Sequence, residues 1–143
     1  MLGLPVESVI EPRKLVLVGP RTSVGEAARM MKQSQVGAVL VVDEGRLVGI
    51  FTERDAVYRV MAPGGEPEAT PVGEVMTRDP KTVAPDETFG YALLLMREHG
   101  FRHAPVVRDG RPVGVVSARL ALDPELEEFT AEAERRRHIR RRA

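Results

Sequence analysis

The sequence contains no cysteine, which excludes disulfides, thiol nucleophiles and cysteine-ligated zinc. Tryptophan and asparagine are also missing, lysine occurs three times, and aromatic residues make up only 4% of the chain. Apolar runs such as Ala38 to Val42 fall far short of the ~20 residues that cross a bilayer. The opening MLGLPVESVI has neither the basic start nor the small-residue cleavage site of a signal peptide. A cytoplasmic protein without membrane contact is the expectation. Chemistry is equally sparse. There is no phosphate-binding glycine loop, no cluster at metal-ligand spacing and no readable nucleophile–base pair, and His99, His103 and His138 stand apart. This points away from an enzyme, a catalytic cofactor and a metal.

What is present describes a globular chain. It has 143 residues, 43% hydrophobic and 29% charged, enough for about one domain with a single core. The formal net charge of zero hides an asymmetry. Residues 135–142, RRRHIRRR, hold six of the 21 basic residues; the rest of the chain keeps 15 against 21 acidic ones, a body at −6. An acidic body with a basic end does not suit nucleic-acid binding by the body.

The chain is written twice. A shift of 65 positions aligns Pro20 through Val57 with Pro85 through Leu122 without a gap. Gly25 meets Gly90, Ala27 meets Ala92, Met31 meets Met96, and Val48-Gly49 meets Val113-Gly114. Upstream, PVESVI (5–10) matches PVGEVM (71–76) with one residue of slip. In the first copy Ser23 and Glu26 form a capping-box pattern, followed by apolar residues at helical spacing. AVLVV and LVGIF read as strands joined by a turn at Gly45, and the pattern returns to helix at Thr52. The second copy repeats this, with a helix from about Thr88 to His99 stopped by Gly100. KLVLV (14–18) and KTV (81–83) read as short leading strands. Each copy is therefore β-α-β-β-α, and a unit of about 55–60 residues must pack on its twin to bury enough surface. The expected boundaries are 1–62, a linker at 63–70, 71–122, and a helix with a basic end at 123–143. The Pro- and Gly-rich linker reads as a mobile exposed loop.

These features together resemble the cystathionine-β-synthase (CBS) domain pair, or Bateman module. The marks are MTRDPKTVAPDETFGYALLLM (76–96), GFRHAPVV (100–107) and VGIFTERDAV (48–57). The resemblance implies an α+β fold in which the tandem units pack sheet to sheet about a pseudo-twofold axis. It implies a ligand-sensing regulatory module without catalysis. An adenosine-containing small molecule (AMP, ADP, ATP or S-adenosylmethionine) would be its regulatory ligand, bound between the units, and the chain would form a homodimer. Two alternatives stand beside it: a dimerisation scaffold with degenerate sites, and an enzyme acting on nucleotides with Asp55 as base.

The family motif glycine–x–x–threonine/serine–x–x–aspartate falls on Gly49, Thr52 and Asp55. In the family these side chains meet ribose and the nearby phosphate, and a carboxylate can accept from both ribose hydroxyls. The same residues also form a good helix cap, with Thr52 at N-cap and Asp55 at N3. The cap explains the local sequence; the repeat and the resemblance favour the ligand role for Asp55. Thr52 can do both. The resemblance also carries over Ile50 to an adenine face, Arg54, Pro80, Lys81 and Thr82 from the second leading strand, and Val36, Gly37, Arg102 and His103 before the central strands. In the second copy Ser117 keeps the hydroxyl, but Leu120 stands where the aspartate belongs, so one good site per chain is expected. The tail reads as a helix with Asp123 as N-cap, Pro124 at N1 and charges that suit its dipole. It offers a docking helix for a separate effector protein. Its basic cluster contains no aromatic residue for stacking on bases, against nucleic acid.

Overall fold

The computed structural model describes residues 1–122 and 124–142. In the first copy, β1 (Leu17–Val18) leads into α1 (Val24–Ser34), which crosses over to β2 (Ala38–Asp43), parallel to β1. Strand β3 (Arg46–Thr52) returns antiparallel to β2 and runs directly into α2 (Glu53–Asp55). The helix continues as a π-helical stretch, Ala56–Met61. After the linker come α3 (Val72–Val75) and β4 (Thr77–Arg78), then α4 (Phe89–His99), the hairpin β5 (His103–Arg108) and β6 (Arg111–Ser117), and a 3-10 stretch, Ala118–Leu122. Helix α5 spans Pro124–Arg142. Asp123, the expected cap of that helix, lies outside the described residues. Among those described, no helix is long and apolar enough to cross a membrane.

Local sequence accounts for most of this. Ser23 Oγ accepts from Glu26 N at 3.1 Å, and Thr88 Oγ1 accepts from Tyr91 N at 3.1 Å, so each long helix begins on a side-chain cap. They end on left-handed residues, Gln35 and Gly100. Both hairpins turn on two consecutive positive φ angles, Glu44-Gly45 and Asp109-Gly110, the backbone that matches the twist of the flanking strands. Strand β2 is an unbroken apolar run because both its faces are buried. Val39 and Val41 enter the core of the first copy with Phe51, Ala27 and Met31. Ala38 and Leu40 point the other way, and with Ile50 they pack against Leu15, Leu47 and Val115 where the sheets of the two copies meet. A hydrogen bond from Leu47 N to Gly110 O (3.1 Å) links the two hairpins there.

The lead-in segments are exchanged. Residues 5–10 precede the first copy in sequence, yet Val6 and Val9 are buried in the core of the second copy, beside Phe89, Ala92 and Met96. Val72 and Met76 precede the second copy and lie in the core of the first. The hydrogen bonds repeat with the sequence. Val6 N donates to Glu87 O and Glu7 N to Pro85 O; Val72 N donates to Thr22 O and Gly73 N to Pro20 O. Two glycines make room for the incoming side chains: a Cβ on Gly49 would collide with Met76, and one on Gly114 with Ile10. The pseudo-twofold axis is thus visible in the hydrogen bonds, and each copy is completed by a piece of the other.

Three expectations shift. The first leading strand shrinks to Leu17–Val18 behind a 3-10 turn at Pro12–Lys14. The second moves: Thr77–Arg78 pairs with β3 in the first copy's sheet, and of 81–83 only Val83 forms a bridge, to Val106. Asp79, with φ of 43°, and Pro80, which lacks an N–H, interrupt the strand between them. The linker, read as a mobile loop, packs onto α1 instead. Gly25 N donates to Pro67 O, Val24 N to Thr70 O, and Arg29 forks onto the Glu68 carboxylate at 2.6 and 3.2 Å.

Candidate functional site

The junction of β3 and α2 places Thr52 and Asp55 together. Thr52 keeps extended backbone angles, and its Oγ1 accepts from Asp55 N at 3.2 Å. Asp55 reaches back: Oδ2 accepts from Thr52 N at 2.9 Å and from Thr52 Oγ1 at 3.1 Å. The capping box is therefore fully formed. The other carboxylate oxygen, Oδ1, faces Arg59 Nε at 3.5 Å. Asp55 is only 9% exposed, and it is the one charged residue among the buried ones described. A carboxylate in that position must be held by hydrogen bonds and a counter-charge, and it has both.

The pseudo-twofold axis brings the equivalent junction of the second copy alongside. Ala38 pairs with Thr52 across the first hairpin as His103 pairs with Ser117 across the second. Glu53 N donates to Gly37 O at 3.0 Å, and Ala118 N to Arg102 O at 2.9 Å. The two ends meet at Gly37, where a Cβ would lie 2.9 Å from Glu53 Oε1 and 3.0 Å from His103 Nε2. Glycine is what lets an acid of one copy approach the histidine of the other. Burial holds the His103 imidazole below its ordinary pKa; the Glu53 carboxylate opposes this, while Arg119 and Arg102 reinforce it.

The remaining candidates fall into three places. Gly37, Thr52, Arg102, His103 and Ser117 gather at this junction, although the Ser117 hydroxyl is taken up by Arg119 N at 3.2 Å in a local turn. Ile50 lies in the apolar layer between the copies, whereas Val36 packs on the first copy's core. Arg54 points outward and stacks over the Tyr58 ring at 5.4 Å. Pro80, Lys81 and Thr82 form the crossing between the two sheets. Thr77 pairs with Ile50, Arg78 with Gly49, and Asp79 N donates to Val48 O. The chain then crosses to the second copy, where Val83 runs parallel to β5 and its N–H donates to Pro105 O, so these three precede it towards the His103 end of that strand. Among the described residues no hydrogen bond joins these three to Thr52 or Asp55. Leu120, at the aspartate position of the second copy, is buried in that copy's core.

Two surface hollows lie elsewhere. One of about 260 Å³ is lined by Pro20, Val48, Met76 and Arg78 among others, and one of about 360 Å³ by Arg13, Lys14 and Gln33 to Gln35. Neither touches Thr52 or Asp55, whose carboxylate is packed by its own partners. Among the described residues no three histidine, aspartate or glutamate side chains come together as a metal site would need. Sequence reasoning missed Glu53, Arg119 and Arg59. Arg59 was findable: an acid followed four residues later by an arginine is a helical ion-pair spacing.

Comparison with known proteins adds the following. A family model described as the CBS domain matches the chain twice, over residues 6–62 and 72–123. An uncharacterised 17.7 kDa protein of Acidianus ambivalens is 38% identical over 133 residues, covering 89% of this chain and 79% of that protein. The crystal structure of an uncharacterised conserved protein from Pyrococcus horikoshii is similar with a TM-score of 0.77 and 34% identity, over 85% of this chain and 92% of that one. The CBS domain pair of protein MJ0100, solved in complex with 5′-methylthioadenosine and S-adenosyl-L-methionine, gives a TM-score of 0.74 at 27% identity, over 82% and 95%.

Proposed function

The chain belongs to the CBS domain family, and from that premise we propose that it is a regulatory module that binds an adenosine-containing ligand at the Thr52–Asp55 junction and performs no chemistry of its own. The observation that carries this reading is the Asp55 carboxylate, nearly buried at a rigid strand-to-helix joint. Its Oδ2 is committed to the cap, while Oδ1 has a single long contact and can accept from a ribose diol. Ile50 and the apolar layer around it suit one face of an adenine ring. Arg102 and Arg119 supply positive charge for a phosphate, His103 with its lowered pKa offers a hydrogen bond, and Glu53 opposes the positive charge. The balance among these four decides between nucleotides and the cationic S-adenosylmethionine. The complex of the MJ0100 pair with two adenosine derivatives supports the ligand class. The second copy, with hydrocarbon at Leu120, carries no diol grip.

The reading includes a homodimer. Val57, Tyr58 and Met61 on the π-helical stretch, with Tyr91 and Leu94 on α4, are exposed apolar side chains that a second copy would cover. Helix α5, with its arginine-rich end, is the element offered to an effector protein.

The test is a calorimetry and thermal-shift panel of AMP, ADP, ATP, NAD and S-adenosylmethionine on the wild type and on Asp55→Ala. One ligand should bind once per chain and, at a hundred times its dissociation constant, stabilise the protein by about 2.7 kcal/mol. Failure of every ligand to bind the wild type, or equal binding by Asp55→Ala, overturns the assignment.

A further inference from the structure

Arg59 makes two sets of contacts that belong to different copies. Its Nε faces Asp55 Oδ1 at 3.5 Å. Its Nη1 donates to the carbonyls of Val75 and Met76 at 3.2 and 3.1 Å. Those carbonyls stand at the end of α3, the exchanged lead-in of the second copy, where a helix leaves acceptors without intrahelical donors. One guanidinium therefore ties the carboxylate of the first copy to the segment that enters from the second. The segment continues without a break into β4, whose Thr77 pairs with Ile50, and Met76 itself packs over Gly49. The path from Asp55 through Arg59 and Met76 returns to β3, the strand that ends at Thr52.

The local helix geometry marks the arrangement. The helix bearing Arg59 is π-helical from Ala56 to Met61, with Ala62 N donating to Val57 O, and such widened turns are frequent at functional sites. The repeat adds a contrast: 65 positions on, Asp55 becomes Leu120, and the alignment ends before it reaches Arg59. The second copy keeps the capping hydroxyl as Ser117 without the carboxylate.

We infer that Arg59 is a positioning residue: it holds Asp55 in the orientation that receives the ligand, and it couples occupation of that cleft to the exchanged lead-in, residues 71–78. The inference rests on the ligand reading above for its first half only; the coupling exists without ligand. Arginine suits the task because its planar fork can serve two carbonyls and a carboxylate at once, which a lysine cannot.

The experiment has two arms on the full chain. Without ligand, hydrogen exchange is followed at the Met76 amide, which donates to Val72 O within the lead-in. Asp55→Asn keeps an acceptor for Thr52 N but loses the charge that Arg59 faces. Asp55→Asn and Arg59→Gln should each speed exchange there by about tenfold, the scale of one charge-assisted contact, and the double variant should do no more than the larger single one. A wild-type rate at Met76 in Asp55→Asn, or strictly multiplicative effects, overturns the coupling. With AMP and with S-adenosylmethionine as calorimetric probes, Arg59→Gln should weaken binding by about tenfold at unchanged stoichiometry, with Arg59→Lys recovering only part. Wild-type affinity in Arg59→Gln overturns the positioning role. If neither probe binds the wild type, the proposed function fails and the positioning role falls with it, whereas the exchange arm still decides the coupling.

Discussion

Val6 and Val72 occupy equivalent places in the repeat, and both are completely buried. Truncating either to alanine removes two methyl groups from a packed core. At about 0.8 kcal/mol per buried carbon, with an added term for the cavity, the cost is about 2–3 kcal/mol. For a chain of this size that lowers the melting temperature by about 4–10 °C. The two variants should look alike in a melt and differ in where the loss falls. Val6 packs with Phe89, Ala92 and Met96, so Val6→Ala should loosen α4 and β5, more than 80 residues away in sequence. Val72 packs with Val24, Ala27 and Met31, so Val72→Ala should loosen α1 and β2. Hydrogen exchange read by segment distinguishes these, because sub-global openings report the element that lost its packing. Were protection lost in the copy to which each valine belongs by sequence, the exchange of lead-ins would be refuted.

Three further outcomes are expected. Asp55→Ala removes the acceptor for Thr52 N and the partner of Arg59, and should cost about 1–2 kcal/mol, the scale of a lost cap, whereas Asp55→Asn should cost less; denaturant titration separates them, and equal losses would mean that the cap contributes nothing. Gly49→Ala drives a methyl group into Met76 and should destabilise by about 1–3 kcal/mol, with Gly49→Ala/Met76→Ala recovering part of it; a neutral Gly49→Ala would show that the close approach is not tight. His103 has a lowered pKa in the folded chain, so the unfolded chain binds its proton first. Its contribution is fully present above the ordinary histidine value of about 6.5 and is lost as pH falls from there towards the folded value. Melts from pH 7.5 down to 5 should therefore show a steeper fall for the wild type than for His103→Gln, and parallel curves would contradict the burial.

The cap-or-grip question at TERD shows how far local sequence reaches. A threonine and an aspartate three apart after a strand specify a capping box, and the box is there in full. The same geometry leaves Oδ1 of Asp55 outside the cap, facing Arg59. What local sequence did not disclose was the neighbour of that oxygen. Arg59 sits at helical ion-pair spacing, but its link to Val75 and Met76 depends on a lead-in arriving from the other copy. Lys81 was expected on a continuous leading strand, whereas Asp79 and Pro80 break that strand and the segment joins the second copy's sheet only at Val83.

By itself the sequence determined the elements and their duplication. Caps at Ser23 and Thr88, paired left-handed turn residues at Glu44-Gly45 and Asp109-Gly110, and apolar periodicity act through bonds a few residues long, and such interactions are written locally. The tertiary structure decided which copy each lead-in completes, that Gly37 stands between Glu53 and His103, and that Met76 covers Gly49. Those contacts join residues far apart in the chain. Either assignment of the lead-ins would bury the same valines, and only the three-dimensional path of the linkers selects between them.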